Sequence, residues 1–258
     1  MAERNVEPTH SQTEMKHTGQ PNVAVIFAGG SGRRMNRDGK PKQFLELQGK
    51  PIIIYTLELF ENHKDIDGIV VVCLESWIPE LRRQLERFGI TKVCAVVPGG
   101  ETGQDSIYNG LKATEKQFGR EASVLIHDGV RPLINDQTIS DNIATVAAEG
   151  SCITCVPTTE TFVVSRPDGL LDIPERKDSL IARAPQSFRL EDILTAHEKA
   201  LAEGRHDFID SCSMMNHYGY HLATVIGPVE NIKITTPMDY FVFRTMMEVK
   251  ETREVFGF

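Results

Sequence analysis

Five short apolar runs rich in Val, Ile and Leu recur over the first 156 residues, at 23–27, 68–74, 92–97, 123–127 and 152–156. Amphipathic stretches separate them, at 51–62, 79–88, 106–118 and 137–149. A strand cannot pair in parallel with its sequence neighbour without a long crossover, and a helix is the usual one. The run GIVVVCL at 68–74 is continuously apolar, as expected of a strand covered on both faces. This alternation predicts an α/β fold: a doubly wound, Rossmann-like, mostly parallel sheet with right-handed crossovers.

The rhythm breaks after Val156. Stretches 161–165 and 170–173 flank Arg166-Pro167-Asp168-Gly169, a strong turn sequence. They predict a protruding β-hairpin arm within about 157–182. Helical pattern returns at 190–203. Residues 221–226 and 231–234 read as late strands, and a last helix starts at Pro237. Residues 1–20 are polar and aperiodic and are expected to form a flexible tail. Residues 21–258 are expected to form one domain.

A chain of 258 residues can bury a substantial core. Its net charge of −8 argues against a nucleic-acid surface, which needs clustered Lys and Arg. No apolar run approaches the roughly 20 residues that span a bilayer, and the first residues lack a signal-peptide core. Of the five cysteines, Cys152 and Cys155 have CxxC spacing, but no second pair completes a zinc site. Both fall in a strand, where they would face opposite sides, so they read as packed thiols. A cytoplasmic location is the default for such cysteine usage.

The chemistry concentrates after the first strand, in Phe27-Ala28-Gly29-Gly30-Ser31-Gly32-Arg33-Arg34-Met35, followed by Pro41-Lys42-Gln43-Phe44-Leu45. The glycines allow a sharp bend and close backbone approach. Their N–H groups can cradle phosphate oxygens, and Arg33, Arg34 and Lys42 add positive charge. The spacing is neither a Walker loop nor GxGxxG, which disfavours a dehydrogenase. No Ser-His-Asp set is evident. Asp128, in His127-Asp128-Gly129-Val130-Arg131-Pro132, stands at a strand's C-terminal end, where open α/β sheets bind ligands and where a carboxylate suits Mg²⁺.

These pieces resemble the sugar-phosphate nucleotidyltransferases. The fuller pattern resembles the cytidylyltransferase branch that includes the 2-C-methyl-D-erythritol 4-phosphate and D-ribitol-5-phosphate enzymes. The matching segments are AGGSGRRM, PKQFLEL, GGETGQDSIYNGL, HDGVRP, ETF, DIPERKDSLIARAPQSF, FIDSCSMM and ENIKIT. The resemblance implies attack of an acceptor phosphate on the α-phosphorus of CTP, with Mg²⁺ or another divalent cation present. It implies that Arg34, Lys42 and Lys233 act on the phosphates. Ala28, Gly29, Gly30, Gly32, Gly100, Ser106 and Asp128 would bind the nucleotide, with Ser106 and backbone groups reading the cytosine. Asp128 and Glu230 would serve the metal. Thr161 and Arg176 would hold the acceptor phosphate, in a homodimer formed through the arm.

Three positions depart from the pattern: Gly103 where several relatives carry Arg, Ala184 where the family has Thr, and Glu230 where many carry Asp. The DIP-x-R string favours ribitol 5-phosphate as acceptor, feeding cell-surface polymer synthesis. Methylerythritol phosphate, an isoprenoid precursor, is the alternative. A non-catalytic nucleotide-binding module is the alternative of another class, opposed by the joint presence of Arg34, Lys42, Asp128, Arg176 and Lys233.

Overall fold

The computed structural model describes residues 19–30 and 39–256. The tail expected at 1–20 lies almost wholly outside them, as do Gly32, Arg33 and Arg34.

The first half follows the alternation. Strand β1 (Asn22–Ala28) is followed by the minor strands β2 (Glu46–Leu47) and β3 (Lys50–Pro51), then helix α1 (Ile52–Asn62). Next come β4 (Gly68–Cys73), α2 (Ile78–Arg87), β5 (Val93–Pro98), α3 (Gly103–Phe118), β6 (Ser123–Asp128), α4 (Asp136–Glu149) and β7 (Ser151–Pro157). The arm strands β8 (Val164–Ser165) and β9 (Leu171–Asp172) precede β10 (Leu180–Arg189), α5 (Leu190–Ala202), α6 (Ser211–His217), β11 (Ala223–Ile226) and α7 (Pro237–Phe256).

Seven strands form the main sheet in the order β11-β7-β10-β6-β1-β4-β5. All pairings are parallel except those of β10, which runs antiparallel to both β6 and β7. The period-2 alternation of the strands splits the core in two. Val23, Val25, Val70, Val72 and Val124 face the layer of α3, α5 and α6. Ala24, Ile26, Ile69, Val71 and Leu125 face α1, α2 and α4. Cys152 and Cys155 fall in different clusters, as opposite-facing thiols should.

Helix α3 begins at a capping box: Thr102 accepts from the Asp105 amide while Asp105 accepts from that of Thr102. It carries Gly110 mid-helix because a Cβ there would lie 2.7 Å from Val72 and 2.8 Å from Val25. Glycine is what lets the helix settle this close to the sheet.

Three sequence expectations need correction. Residues 231–234 are not a strand: the Asn231 carbonyl accepts from Arg131, its side chain donates to Ala184, and the Ile234 amide makes an isolated bond to the Val130 carbonyl, so no ladder forms. The arm is shorter than expected, two residues per strand around Arg166–Gly169, where Gly169 takes φ +82°. Strand β10 and helix α6 went unforeseen: β10 carries Arg183, Pro185 and Gln186, which break an apolar pattern. Among the described residues no helix is long and apolar enough to cross a membrane.

Candidate active site

The chain progresses β1, β4, β5 to one side and then places β6 on the other side of β1. That reversal opens a crevice at the C-terminal ends of β1 and β6. Phe27 pairs with Asp128 there, and the Gly129 amide donates to the Phe27 carbonyl at 2.9 Å.

The glycine loop leaves β1 under the control of Gln43. This buried side chain donates to the carbonyls of Ala28 at 2.6 Å and Gly30 at 3.2 Å, fixing the described start of the loop. Lys42 is half-buried beside it on a single 3₁₀ turn. After β5, Gly100 closes against α3 so tightly that a Cβ would fall 2.5 Å from that of Asp105. The buried Ser106 hydroxyl accepts from the Gly100 amide at 2.9 Å and donates to the Thr102 carbonyl at 2.8 Å. A Cβ on Gly29 would lie 3.7 Å from that same oxygen, so the loops after β1 and β5 abut. Ser106 therefore braces the loop. Thr102, rather than Ser106, caps the helix.

Asp128 is the centre of charge. Its Oδ1 lies 2.6 Å from Lys233 Nζ, and its Oδ2 accepts from Arg131 Nε at 2.8 Å. Burial alone would raise its pKa, but the Lys233 and Arg131 charges outweigh it and hold the carboxyl at about 2. The His127 imidazole, fully buried, is pushed down to about 4. Its Nε2 donates to the Arg131 carbonyl at 3.1 Å, which makes Nδ1 the unprotonated nitrogen.

Asp128, Arg131 and Lys233 line a cleft of about 280 Å³ whose far wall is β10 and the start of α6. Arg183, Gln186, Asp210 and Ser211 stand on that wall. Asp210 caps α6 by accepting from the Ser213 amide at 2.9 Å, and Gln186 accepts from the Cys212 amide at 2.9 Å. Gly103 also lines the cleft, and a Cβ there would meet nothing within 4 Å.

Thr161 and Arg176 come together, with Arg176 Nη2 donating to Thr161 Oγ1 at 3.2 Å. They do so on the exposed arm, in a concavity with Thr158, Lys177 and Ser179 that shares no lining residue with the Asp128 cleft. Glu230 is exposed and does not line the cleft. No group of three or more His, Cys, Asp or Glu among the described residues could by itself hold a metal. Arg131, Arg183 and Asp210 went unassigned in the sequence although their motifs, HDGVRP, ARAPQSF and FIDSCSMM, were visible. Motif matching marks a segment, whereas only the fold shows which of its side chains turn inward.

Comparison with known proteins places the fold in a family. The family described as 2-C-methyl-D-erythritol 4-phosphate cytidylyltransferase (IspD) matches residues 22–248. A ribitol-5-phosphate cytidylyltransferase of Vibrio parahaemolyticus is 55% identical over 237 residues, covering 92% of this chain and 100% of that protein. A 2-C-methyl-D-erythritol 4-phosphate cytidylyltransferase of Clostridium botulinum is 37% identical, covering 88% of this chain and 97% of the other. The crystal structure of 4-diphosphocytidyl-2C-methyl-D-erythritol synthase from Anaerococcus prevotii superimposes with a TM-score of 0.77 at 26% identity, covering 89% of this chain and 96% of that one. The chain belongs to the 2-C-methyl-D-erythritol 4-phosphate cytidylyltransferase (IspD) family of nucleotidyltransferases.

Proposed function

We propose that the chain transfers the cytidylyl group of CTP to D-ribitol 5-phosphate, giving CDP-ribitol and pyrophosphate. The observation that carries the chemistry is the Lys233–Asp128–Arg131 cluster at the crevice between β1 and β6. An oxygen of the acceptor phosphate attacks the α-phosphorus as the bond to the pyrophosphate oxygen breaks. Negative charge builds on the equatorial oxygens and the leaving group, and fixed cations stabilise it without reorganising. Asp128 holds Lys233 and Arg131 in place until substrate phosphates compete for them.

The glycine loop and Lys42 serve the triphosphate, together with Arg34. The loops around Gly100 and Ser106 border the base. A divalent cation fits the site as one carried on the triphosphate, because Asp128 offers a single hard carboxylate and Mg²⁺ commonly takes one or two together with substrate oxygens. When bound, the ion adds positive charge at the leaving group. Glu230, outside the cleft, is not needed for it.

Ribitol 5-phosphate is supported by the 55% identical relative and by the DIP-x-R string at the arm. The arm supports a dimer. Val163, Val164, Leu170, Leu171 and Ile173 are all at least half exposed on a hairpin too small to stand alone. A second copy would cover them and would bring its Thr161 and Arg176 to this subunit's cleft.

A pyrophosphate-release assay with CTP, UTP and ATP against ribitol 5-phosphate and methylerythritol 4-phosphate tests the reading. CTP with ribitol 5-phosphate should give the highest kcat/KM. Preference for methylerythritol 4-phosphate, the substrate named for the 37% identical relative, would reassign the acceptor. Nucleotide binding without pyrophosphate release from any pair would overturn catalysis altogether.

A further inference from the structure

The cleft holds three cations, and two of them are paired with a carboxylate. Lys233 and Arg131 share Asp128. The Arg183 side chain has no ion pair and no hydrogen-bond partner among the described residues. Its Nε is fully buried with nothing to donate to. Burial, together with the nearby Arg131 charge, pushes its guanidinium below its ordinary range. A half-buried charge with an orphaned donor is destabilising unless a ligand completes it.

The backbone places Arg183 deliberately. The ladder between β10 and β7 slips between Ala182 and Gln186, where Pro185 offers no N–H. Irregular ladders next to sites commonly re-aim a side chain. The position also indicates which substrate is involved. The glycine loops of the nucleotide side follow β1 and β5, whereas β10 lies beyond β6, towards β7, from which the arm departs.

We propose that Arg183 is a specificity-determining residue for the acceptor, gripping the phosphate of the polyol phosphate jointly with Arg131 from the β10 side of the cleft. This rests on the cytidylyltransferase reading above. A guanidinium fork fits a phosphate dianion bidentately, and an anion between Arg183 and Arg131 relieves their mutual repulsion. Arg176 of the partner would approach the same group from outside.

Arg183→Gln and Arg183→Lys test this. No protein group depends on Arg183 for a hydrogen bond, so both variants should fold, with melting temperatures near wild type. Arg183→Gln should raise KM for ribitol 5-phosphate about 10- to 100-fold, while KM for CTP changes less than about threefold. Arg183→Lys should recover only part of the loss, since an ammonium cannot fork. An unchanged acceptor KM, a matching rise in both constants, or a rise for CTP alone would overturn the assignment. Should wild type release pyrophosphate with a different polyol phosphate, the same ratio is read with that acceptor. If wild type releases none, calorimetric titration of inorganic phosphate into the CTP-saturated protein takes its place. Weaker phosphate binding in Arg183→Gln supports the proposal, and equal binding defeats it.

Discussion

Lys233 Nζ lies 2.6 Å from Asp128 Oδ1, across a sequence separation that brings the last segment before α7 onto the end of β6. The carboxylate holds at the cleft an ammonium that would otherwise sweep through solvent. On the proposed mechanism Lys233→Ala should lower kcat by roughly 10²-fold or more, because its charge would act where negative charge develops. Its melting temperature should change little, because the lysine is 40% exposed. Single-turnover rates at saturating CTP and acceptor check this, and a kcat within a few-fold of wild type refutes it.

Asp128→Asn should cost stability in a pH-dependent way. The folded carboxyl titrates at about 2, below the ordinary value of about 3.9. The native state thus binds fewer protons than the unfolded one between those values. Its contribution, on the order of 2 kcal/mol, is full above about pH 4 and disappears as pH falls towards 2. Urea unfolding of wild type and variant should differ most at neutral pH and converge near pH 2. A difference that stays constant with pH would show that Lys233 and Arg131 do not govern this carboxylate.

The rate profile should carry no enzyme titration between about pH 5 and 8 from the cleft's two carboxylates and imidazole; against burial, hydrogen bonds from Ser213, Cys212 and Gln186 hold Asp210 below its ordinary range. His127 is neutral above about 4, and Asp128 is ionised above about 2. The acid limb should instead follow the second ionisation of the acceptor phosphate, near pH 6. Replacing the acceptor with a phosphonate of different pKa should move the limb by the same amount. A limb that stays in place would point to a protein group.

Mixing Arg176→Ala subunits with Lys42→Ala subunits tests the shared site. Each homodimer should be nearly inactive. In a mixed dimer one of the two pockets has both residues intact, so activity should partly return. If mixed dimers form and activity does not reappear, Arg176 works within its own subunit or not at all.

The parallel half of the fold was legible because apolar runs such as 68–74 have a single outcome when both faces are buried. Strand β10 was not. Arg183, Pro185 and Gln186 interrupt its pattern, and its antiparallel place between β6 and β7 is set by contacts remote in sequence. The same division holds in the site. The motifs marked Asp128 and Lys233, which the fold brings together, and Arg176 and Thr161, which meet on the arm. The bracing by Gln43 and the inward turn of Arg183 depend on backbone that no local pattern specifies. Residues 231–234 show the opposite failure: the alternating sequence Asn231-Ile232-Lys233-Ile234 reads as a strand, but the segment is held by Arg131, by the bond from the Asn231 side chain to Ala184 and by one isolated backbone bond to Val130.

Strand β10 begins at the foot of the arm and ends deep in the sheet, passing the cleft on the way. The cleft wall that carries Arg183 and Gln186 and the stalk of the hairpin belong to one continuous strand. A change that tilts the hairpin is felt at Arg183 and Gln186, and repacking that wall alters the angle at which the hairpin leaves. If Arg183 reads the acceptor as proposed, acceptor choice and arm geometry are mechanically linked. A graft meant to transplant one between relatives must carry the stretch from Pro157 to Arg189 whole.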